Sequence, residues 1–222
     1  MQSGNQLRVC FPYIGDSIGG SVFSSITLAG ELDKEKGVSV KIFLFNSGVV
    51  GEYLHGRGYE YDVPQTSVPS TDMQSLFGRL KFFFIARKRF AQYLDKVEVD
   101  LVHSNDMRTA VMCGLSVMGR KTRHIWHQRS VFLGGRLAQR LIRRADIIFC
   151  NSQYTLSTIP SDVIKKTVQV DNLLLEITPP CPAQGSDQKS SLIIRSKAGN
   201  KDIRVGFLGA FNNQKRPILF LD

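Results

Sequence analysis

The chain has 222 residues, more than one typical domain needs but fewer than two full domains would require. Its 42% hydrophobic and 22% charged residues are ordinary for a globular protein and exclude disorder along its whole length. Lys and Arg number 29 against 19 Asp and Glu, and the resulting charge of +10 favours anionic partners. Nucleic acid, nucleotide phosphates and an acidic membrane surface all belong to that class.

Four cysteines lie far apart along the chain, at positions 10, 113, 150 and 181, and form no C-x-x-C pair. Three of them fall in apolar patterns, where a buried, reduced thiol is the usual state, and this indicates the cytosol. The N-terminal residues contain no apolar signal region, and no apolar run approaches the roughly 18 residues that span a bilayer. We therefore expect a cytoplasmic protein, either soluble or peripheral at the inner face of the membrane.

The first predicted element is a short buried strand at residues 7–11, which Pro12 ends. A turn containing Gly19 and Gly20 follows, and residues 22–32 repeat apolar side chains at helical spacing. Adjacent glycines between a strand and a helix let backbone N–H groups face an anion at the helix N-terminus. Such a pair more often only makes the turn, and the full dinucleotide-binding fingerprint G-x-G-x-x-G is not present here.

Strands and helices alternate along the next part of the chain. Further strands are predicted at residues 38–45, 59–63, 100–103, 122–126, 147–150 and 167–170, with helical patterns between most of them. This rhythm is typical of βαβ units. The sequence therefore predicts an α/β fold, a Rossmann-like parallel sheet with helices on both faces.

One predicted helix, within residues 67–96, is both strongly basic and apolar on nearly every side. Its basic residues between positions 79 and 89 are Arg79, Lys81, Arg87, Lys88 and Arg89. This composition suits peripheral contact of residues 79–90 with an anionic membrane surface. It equally suits a core helix whose basic side chains extend outward to water.

Polar clusters follow four of the predicted strands, where ligands bind in parallel sheets. The clusters are Gly19–Gly20, His103 with Asn105 and Asp106, His127 with Arg129, and Asn151 with Ser152. We expect them to face one crevice. A histidine at a strand end is often structural, however, and Asn105 or Asp106 can simply cap the helix that follows.

The rhythm breaks after residue 175. Residues 176–202 are rich in Pro, Gly and Ser and predict a linker, and residues 203–209 predict a new strand. The domain organisation predicted is therefore a Rossmann-like domain at 1–175, a linker at 176–202 and the truncated start of a second domain at 203–222.

Several motifs occur in a familiar order. They are IGGS at 18–21, DLVHSND at 100–106, WHQR at 126–129, ADIIFCNS at 145–152, VDN at 170–172 and GFLGAFNNQKRP at 206–217. In this order they resemble the N-terminal half of group-4 glycosyltransferases, which have the GT-B fold of two facing Rossmann-like domains. The last motif resembles the opening of the second domain.

The resemblance implies transfer of a sugar from a nucleotide-sugar donor with retention of configuration, without a bound metal or a separate cofactor. It implies that Gly19 and Gly20 approach the donor phosphates and that His103 and Asn105 lie at the transferred sugar as catalytic residues. Relatives often carry a second histidine where Asn105 stands. The predicted substrate-binding residues are Gly19, Gly20, Asp106, His127, Arg129, Asn151, Lys215 and Arg216.

We therefore expect a retaining glycosyltransferase of polysaccharide or glycolipid biosynthesis, with a glycan or lipid-linked acceptor. The family's paired glutamates lie in the second domain, beyond these 222 residues, so an incomplete chain that is inactive alone is expected. Two alternatives are a non-catalytic membrane-surface module and a small-molecule-binding Rossmann-like module. No recognised motif supports nucleic-acid binding.

Overall fold

The computed structural model describes residues 6–64 and 76–171, together with the strands Ile193–Ser196 and Ile203–Gly206. Contacts divide the chain into two units, Met1–Glu176 and Ile177–Asp222. The first unit contains a six-stranded sheet in which every pairing is parallel. The predicted Rossmann-like α/β fold is confirmed.

The strand order of this sheet is β2-β1-β3-β4-β5-β6. The strands are β1 (Leu7–Tyr13), β2 (Val38–Leu44), β3 (Leu101–Ser104), β4 (Arg123–Gln128), β5 (Ile147–Cys150) and β6 (Thr167–Gln169). Contrary to the sequence prediction, β1 continues past Pro12. Its pairing with β3 ends at Cys10, so the missing N–H of Pro12 interrupts no ladder on that side.

Helices cover both faces of the sheet. They are α1 (Gly20–Asp33), α2 (Gly48–His55), α3 (Leu76–Lys96), α4 (Met107–Ser116), α5 (Arg136–Ile142) and α6 (Gln153–Ser157), followed by a 3-10 helix at Ser161–Lys166. Ile26 of α1 and Leu54 of α2 pack with Phe11 on one face. The helices α3, α4 and α5 contribute to two clusters on the other face, around Phe90 and Trp126.

The helix α3 packs against the sheet through one side. Phe82, Ala86, Phe90 and Leu94 are buried, and the Phe90 ring lies 5.1 Å from that of Phe43. The inner side therefore belongs to the core, as the core-helix interpretation required. The outer side exposes Phe84, at 59%, and basic residues beside it: Lys81, Arg87 and Lys88. No helix in the described ranges is long and apolar enough to cross a membrane.

Two segments differ from the sequence prediction. Residues 59–63 form a single bridge between Asp62 and Phe43 instead of a strand, and Pro64 follows directly. In the second unit, β7 (Ile193–Ser196) lies inside the segment predicted as a linker and pairs antiparallel with β8 (Ile203–Gly206). The strand at 203 therefore has a neighbour. The domain boundaries at 175 and 202 stay predictions.

Candidate functional site

The sheet changes direction between β1 and β3. From β1 the chain passes through α1 to β2 on one side, whereas from β3 it passes through α4 to β4 on the other. Because these connections leave in opposite directions, a crevice opens at the carboxyl ends of the two strands. The polar clusters after β1, β3, β4 and β5 are joined there by hydrogen bonds.

The first wall of the crevice is the N-terminus of α1. Gly19 is its N-cap, with extended backbone (φ −156°), and no side chain caps the helix. Gly19 and Gly20 are exposed, and a Cβ built on either would meet no atom within 4 Å. The helix N-terminus is therefore uncapped, with open space beside its two glycines, and a helix end of this kind attracts anions.

A third glycine holds this wall in place, and the sequence analysis did not identify it. Gly15 has a φ of +96°, and a Cβ there would lie 1.8 Å from the backbone oxygen of Asn46. The carbonyl of Gly15 accepts a hydrogen bond from Val50 N, and this bond joins the turn after β1 to the start of α2. Only glycine fits this position without moving the turn.

Asn105 and Arg129 connect the wall to the neighbouring strands. Asn105 Nδ2 donates to Ser21 O over 2.9 Å, and Asn105 Oδ1 accepts from Arg129 Nε over 2.5 Å. Arg129 Nη1 also donates to Ser24 Oγ over 3.1 Å. The N-terminus of α1 is therefore bound to the ends of β3 and β4 through side chains 84 and 105 residues away in sequence.

Two histidines lie beneath this network. The rings of His103 and His127 are stacked, 5.3 Å apart and 6° from parallel, and Nε2 of His103 lies 3.2 Å from Nδ1 of His127. Phe11 packs on His103, and Phe149 lies nearly perpendicular to both rings. Burial is the main cause that lowers the pKa of His103 to about 3 and that of His127 to about 2, with the charge of Arg129 second. Both rings are therefore neutral at pH 7.

The neutral pair leaves one polar atom unsatisfied. One ring nitrogen donates to the other across the contact, and His127 Nε2 has no hydrogen-bond partner among the described residues although it is buried. An atom of this kind costs roughly 1–3 kcal/mol of stability. Such costs are common at functional sites, where geometry is kept for a ligand rather than for the fold.

Arg129 supplies positive charge behind the crevice. Burial lowers its pKa to about 10, so the guanidinium remains charged at neutral pH. Asp16 and Arg108 form an ion pair of 3.6 Å between the loop after β1 and α4. The site therefore combines an uncapped helix N-terminus, a half-buried cation and a neutral histidine pair.

Residues 18–168 match the domain described as Glycosyltransferase Family 4, and this range includes the α1 N-terminus, both histidines and Arg129. The chain belongs to this family. No curated protein matches the chain.

Several solved structures share the fold. HepE of Anabaena, in complex with UDP and glucose, has a TM-score of 0.58 at 16% identity, covering 75% of this chain and 44% of its own. MurG of Acinetobacter baumannii has a TM-score of 0.55 at 18% identity, with coverages of 76% and 47%. The lipopolysaccharide outer core galactosyltransferase WaaB, in its apo form, has 0.55 at 16%, with 81% and 50%. The chain thus spans about half the length of these structures, and its sheet matches the N-terminal half of the GT-B fold.

The other predicted site residues of the family-4 domain have structural roles at the strand ends. Asp106 is the N-cap of α4 and accepts from the backbone N–H groups of Arg108 and Thr109. Asn151 Nδ2 donates to Arg129 O over 3.2 Å, so it supports the end of β4. Their roles in substrate binding stay predictions.

Lys215 and Arg216 lie outside the described residues. Within the described part of the chain, no group of three or more His, Cys, Asp or Glu is arranged to hold a metal ion.

Proposed function

We propose that residues 1–175 are the acceptor-side domain of a retaining glycosyltransferase that uses a nucleotide-sugar donor in polysaccharide or glycolipid biosynthesis. Membership of glycosyltransferase family 4 supports the reaction class. HepE, which shares the fold, is solved with UDP and with UDP-glucose, and this supports a nucleotide-sugar as the donor. WaaB is a lipopolysaccharide outer core galactosyltransferase, and this supports a glycan or lipid-linked acceptor.

The open N-terminus of α1 is the observation that carries the proposal. Negative charge accumulates on the nucleotide diphosphate as the sugar leaves, and N–H groups that already point at that position stabilise it without reorganisation. Gly19 and Gly20 leave the space in which a phosphate can approach the backbone. Arg129 adds charge from behind, and Lys215 and Arg216 are proposed to meet the same diphosphate.

His103 and Asn105 are proposed to act on the transferred sugar by fixing the crevice around it. Both side chains are buried, at 3% and 1% exposure. The amide of Asn105 is already hydrogen-bonded to Ser21 and Arg129. This arrangement supports positioning of the sugar. Contact of either residue with the sugar stays a prediction, as does the binding of substrate by His127.

Action at the inner face of a membrane is part of the proposal. The outer side of α3 presents Lys81, Phe84, Arg87 and Lys88, which the helical repeat brings into one arc. We propose that residues 79–90 contact anionic lipid there, while the opposite side of α3 stays in the core. This would bring the crevice close to a lipid-linked acceptor.

Titration calorimetry with UDP-glucose tests the proposed donor site, using the variant Gly19→Asp. An aspartate at an N-cap accepts hydrogen bonds from the helix N–H groups and repels a phosphate, so the affinity should fall at least tenfold. Gly135→Asp is the matched control: Gly135 is also an N-cap with extended ψ, no side-chain cap and open space at its Cα. This control variant should bind UDP-glucose with an affinity within twofold of that of the wild type.

Three outcomes contradict the proposal. They are absence of UDP-glucose binding by the wild type, equal binding by Gly19→Asp, and equal loss in both variants. Binding of anionic vesicles without any nucleotide-sugar would favour the non-catalytic membrane-surface module, and binding of a different small ligand the other Rossmann-like alternative. Sugar transfer is proposed for the whole protein, and we expect none from residues 1–222 alone because the part of the chain that matches HepE covers 44% of that structure.

A further inference from the structure

A second concave site lies at the opposite end of the sheet from the crevice. It is a cavity of about 500 Å³ between the end of α4, the turn at residues 119–122, the start of β4 and the end of α5. The crevice residues are at the carboxyl ends of the strands, whereas Arg123 and Asp146 are at the amino ends of β4 and β5. The size is within the range of small-ligand sites.

Cations dominate the walls of this cavity. Lys121, Arg123 and Arg144 line it, are exposed to solvent and have no ion pair among the described residues. Arg144 Nη1 has only a weak contact, 3.5 Å, with Met118 Sδ. Asp146 is the one carboxylate among the lining residues, and one of its oxygens already accepts from His124 N over 2.8 Å.

The other lining groups add little competing charge. Arg120 is paired with Asp95 and donates to the carbonyls of Ser116 and Ala91, so it joins α4 to α3. Burial lowers the pKa of His124 to about 4, which leaves this ring neutral at pH 7. The three cations without ion pairs therefore outnumber the single carboxylate, and their mutual repulsion in one cavity is relieved by a bound anion.

We propose that this cavity binds a phosphate group, carried either by a small soluble phosphate or by a lipid headgroup, separately from the donor site. Arginine suits a phosphate because its planar guanidinium donates two parallel hydrogen bonds, and lysine adds a compact charge. The concave shape favours a compact group over an extended polymer. The proposal does not depend on the donor crevice.

Titration calorimetry with inorganic pyrophosphate at low ionic strength tests the site on the full chain. The measurement is made with the wild type and repeated in the Gly19→Asp background, which suppresses any binding in the crevice. The double variant Arg123→Gln/Arg144→Gln should lose at least tenfold in affinity. Arg136→Gln/Arg140→Gln is the matched control, because these two exposed arginines of α5 do not line the cavity, and it should change affinity less than twofold.

A gain of binding provides an independent check. Asp146→Asn removes the one carboxylate of the lining and keeps an oxygen that can accept from His124 N, so the affinity for pyrophosphate should rise severalfold. A misfolded variant would lose affinity rather than gain it. Circular dichroism of each variant verifies that the fold is retained.

Co-sedimentation with phosphatidylglycerol vesicles distinguishes the two sources of the phosphate. If Arg123→Gln/Arg144→Gln weakens vesicle binding more than the control pair does, the headgroup is the source. If only pyrophosphate binding responds, the source is a soluble phosphate. The proposal is overturned if the wild type binds neither, or if the cavity pair and the control pair behave alike with both.

Discussion

Arg129 and the two stacked histidines show how one residue sets the properties of others in the crevice. The guanidinium bonds Asn105 and Ser24, and its charge helps to keep His103 and His127 neutral. Neutral rings pack against Phe11 and Phe149, whereas charged rings would be desolvated there without a counter-ion. We therefore expect that protonation of these histidines at low pH destabilises the folded state.

We predict that stability falls with decreasing pH from about 6.5, well before carboxylates titrate. The folded pKa values of His103, His124 and His127 are about 3, 4 and 2, so the unfolded chain binds protons that the folded chain does not. Each histidine should lower the free energy of unfolding by about 1.4 kcal/mol per pH unit down to about pH 4. Denaturant unfolding at several pH values measures this slope.

A histidine variant distinguishes this pH dependence from an overall loss of stability. Replacing His127 with Gln should reduce the slope by one histidine's share, whatever happens to the stability at pH 7. The control His55→Gln changes an exposed ring at the end of α2 and should reproduce the wild-type slope. A flat profile between pH 6.5 and 4 would contradict the neutral, buried pair.

Gly15 gives a second prediction at the level of single residues. Gly15→Ala should lower the free energy of unfolding by more than about 2 kcal/mol, because a strained φ and a backbone clash act together. Gly37→Ala is the matched control, since its φ is +86° but its Cβ would meet nothing within 4 Å. Chemical denaturation compares them, and equal losses would mean that the contact with Asn46 does not matter.

Among the elements, those with a clear apolar period were predictable from sequence. The strand predicted at residues 38–45 is Val38–Leu44, and the helical pattern at residues 22–32 lies within Gly20–Asp33. The orientation of α3 was not predictable, because Phe82, Phe83, Phe84 and Ile85 are four consecutive apolar residues without a period. Packing against the sheet, including Phe43 and Phe45, selects the side of α3 that carries Phe82 and Phe90.

Pairing between separate segments of the chain accounts for the remaining errors. Tyr59, Tyr61 and Val63 alternate as in a strand, but the segment forms a single bridge beside β2. The apolar run at residues 192–194 was too short to suggest a strand by itself, and its partner lies about ten residues further on. The apolar pattern within each segment does not indicate which other segment it pairs with.

The outer side of α3 leads to a prediction at the element scale. Wild-type protein should co-sediment with anionic vesicles at low salt, and Lys81→Gln/Arg87→Gln/Lys88→Gln should weaken this about a hundredfold, since each basic residue contributes roughly fivefold. Raising the salt concentration should also weaken vesicle binding. The control variant Lys36→Gln/Lys41→Gln/Lys165→Gln removes equal charge from exposed positions elsewhere. Vesicle binding that is unaffected both by the α3 substitutions and by added salt would contradict the proposed membrane contact.

Over the whole molecule, topology explains why much of the candidate site could be predicted. Residues after parallel strands must meet at one edge of the sheet, so Gly20, Asn105 and Arg129 were expected to converge, and the structure brings them together. The contact between His103 and His127 depends on register, because His103 lies opposite Ile125 and not opposite His127. Neither that register nor the role of Gly15 is visible in the sequence.

We propose that the N-terminus of α1 binds the donor diphosphate, and amide chemical-shift mapping with UDP tests this binding most directly. For a chain of 24.9 kDa, the backbone N–H signals of Gly19, Gly20 and Ser21 can be followed during a titration. We predict saturable shifts at these three amides, and at Arg129 behind them, with Gly135 unchanged. Shifts confined to other parts of the chain, or none at millimolar UDP, would contradict this assignment of the donor site.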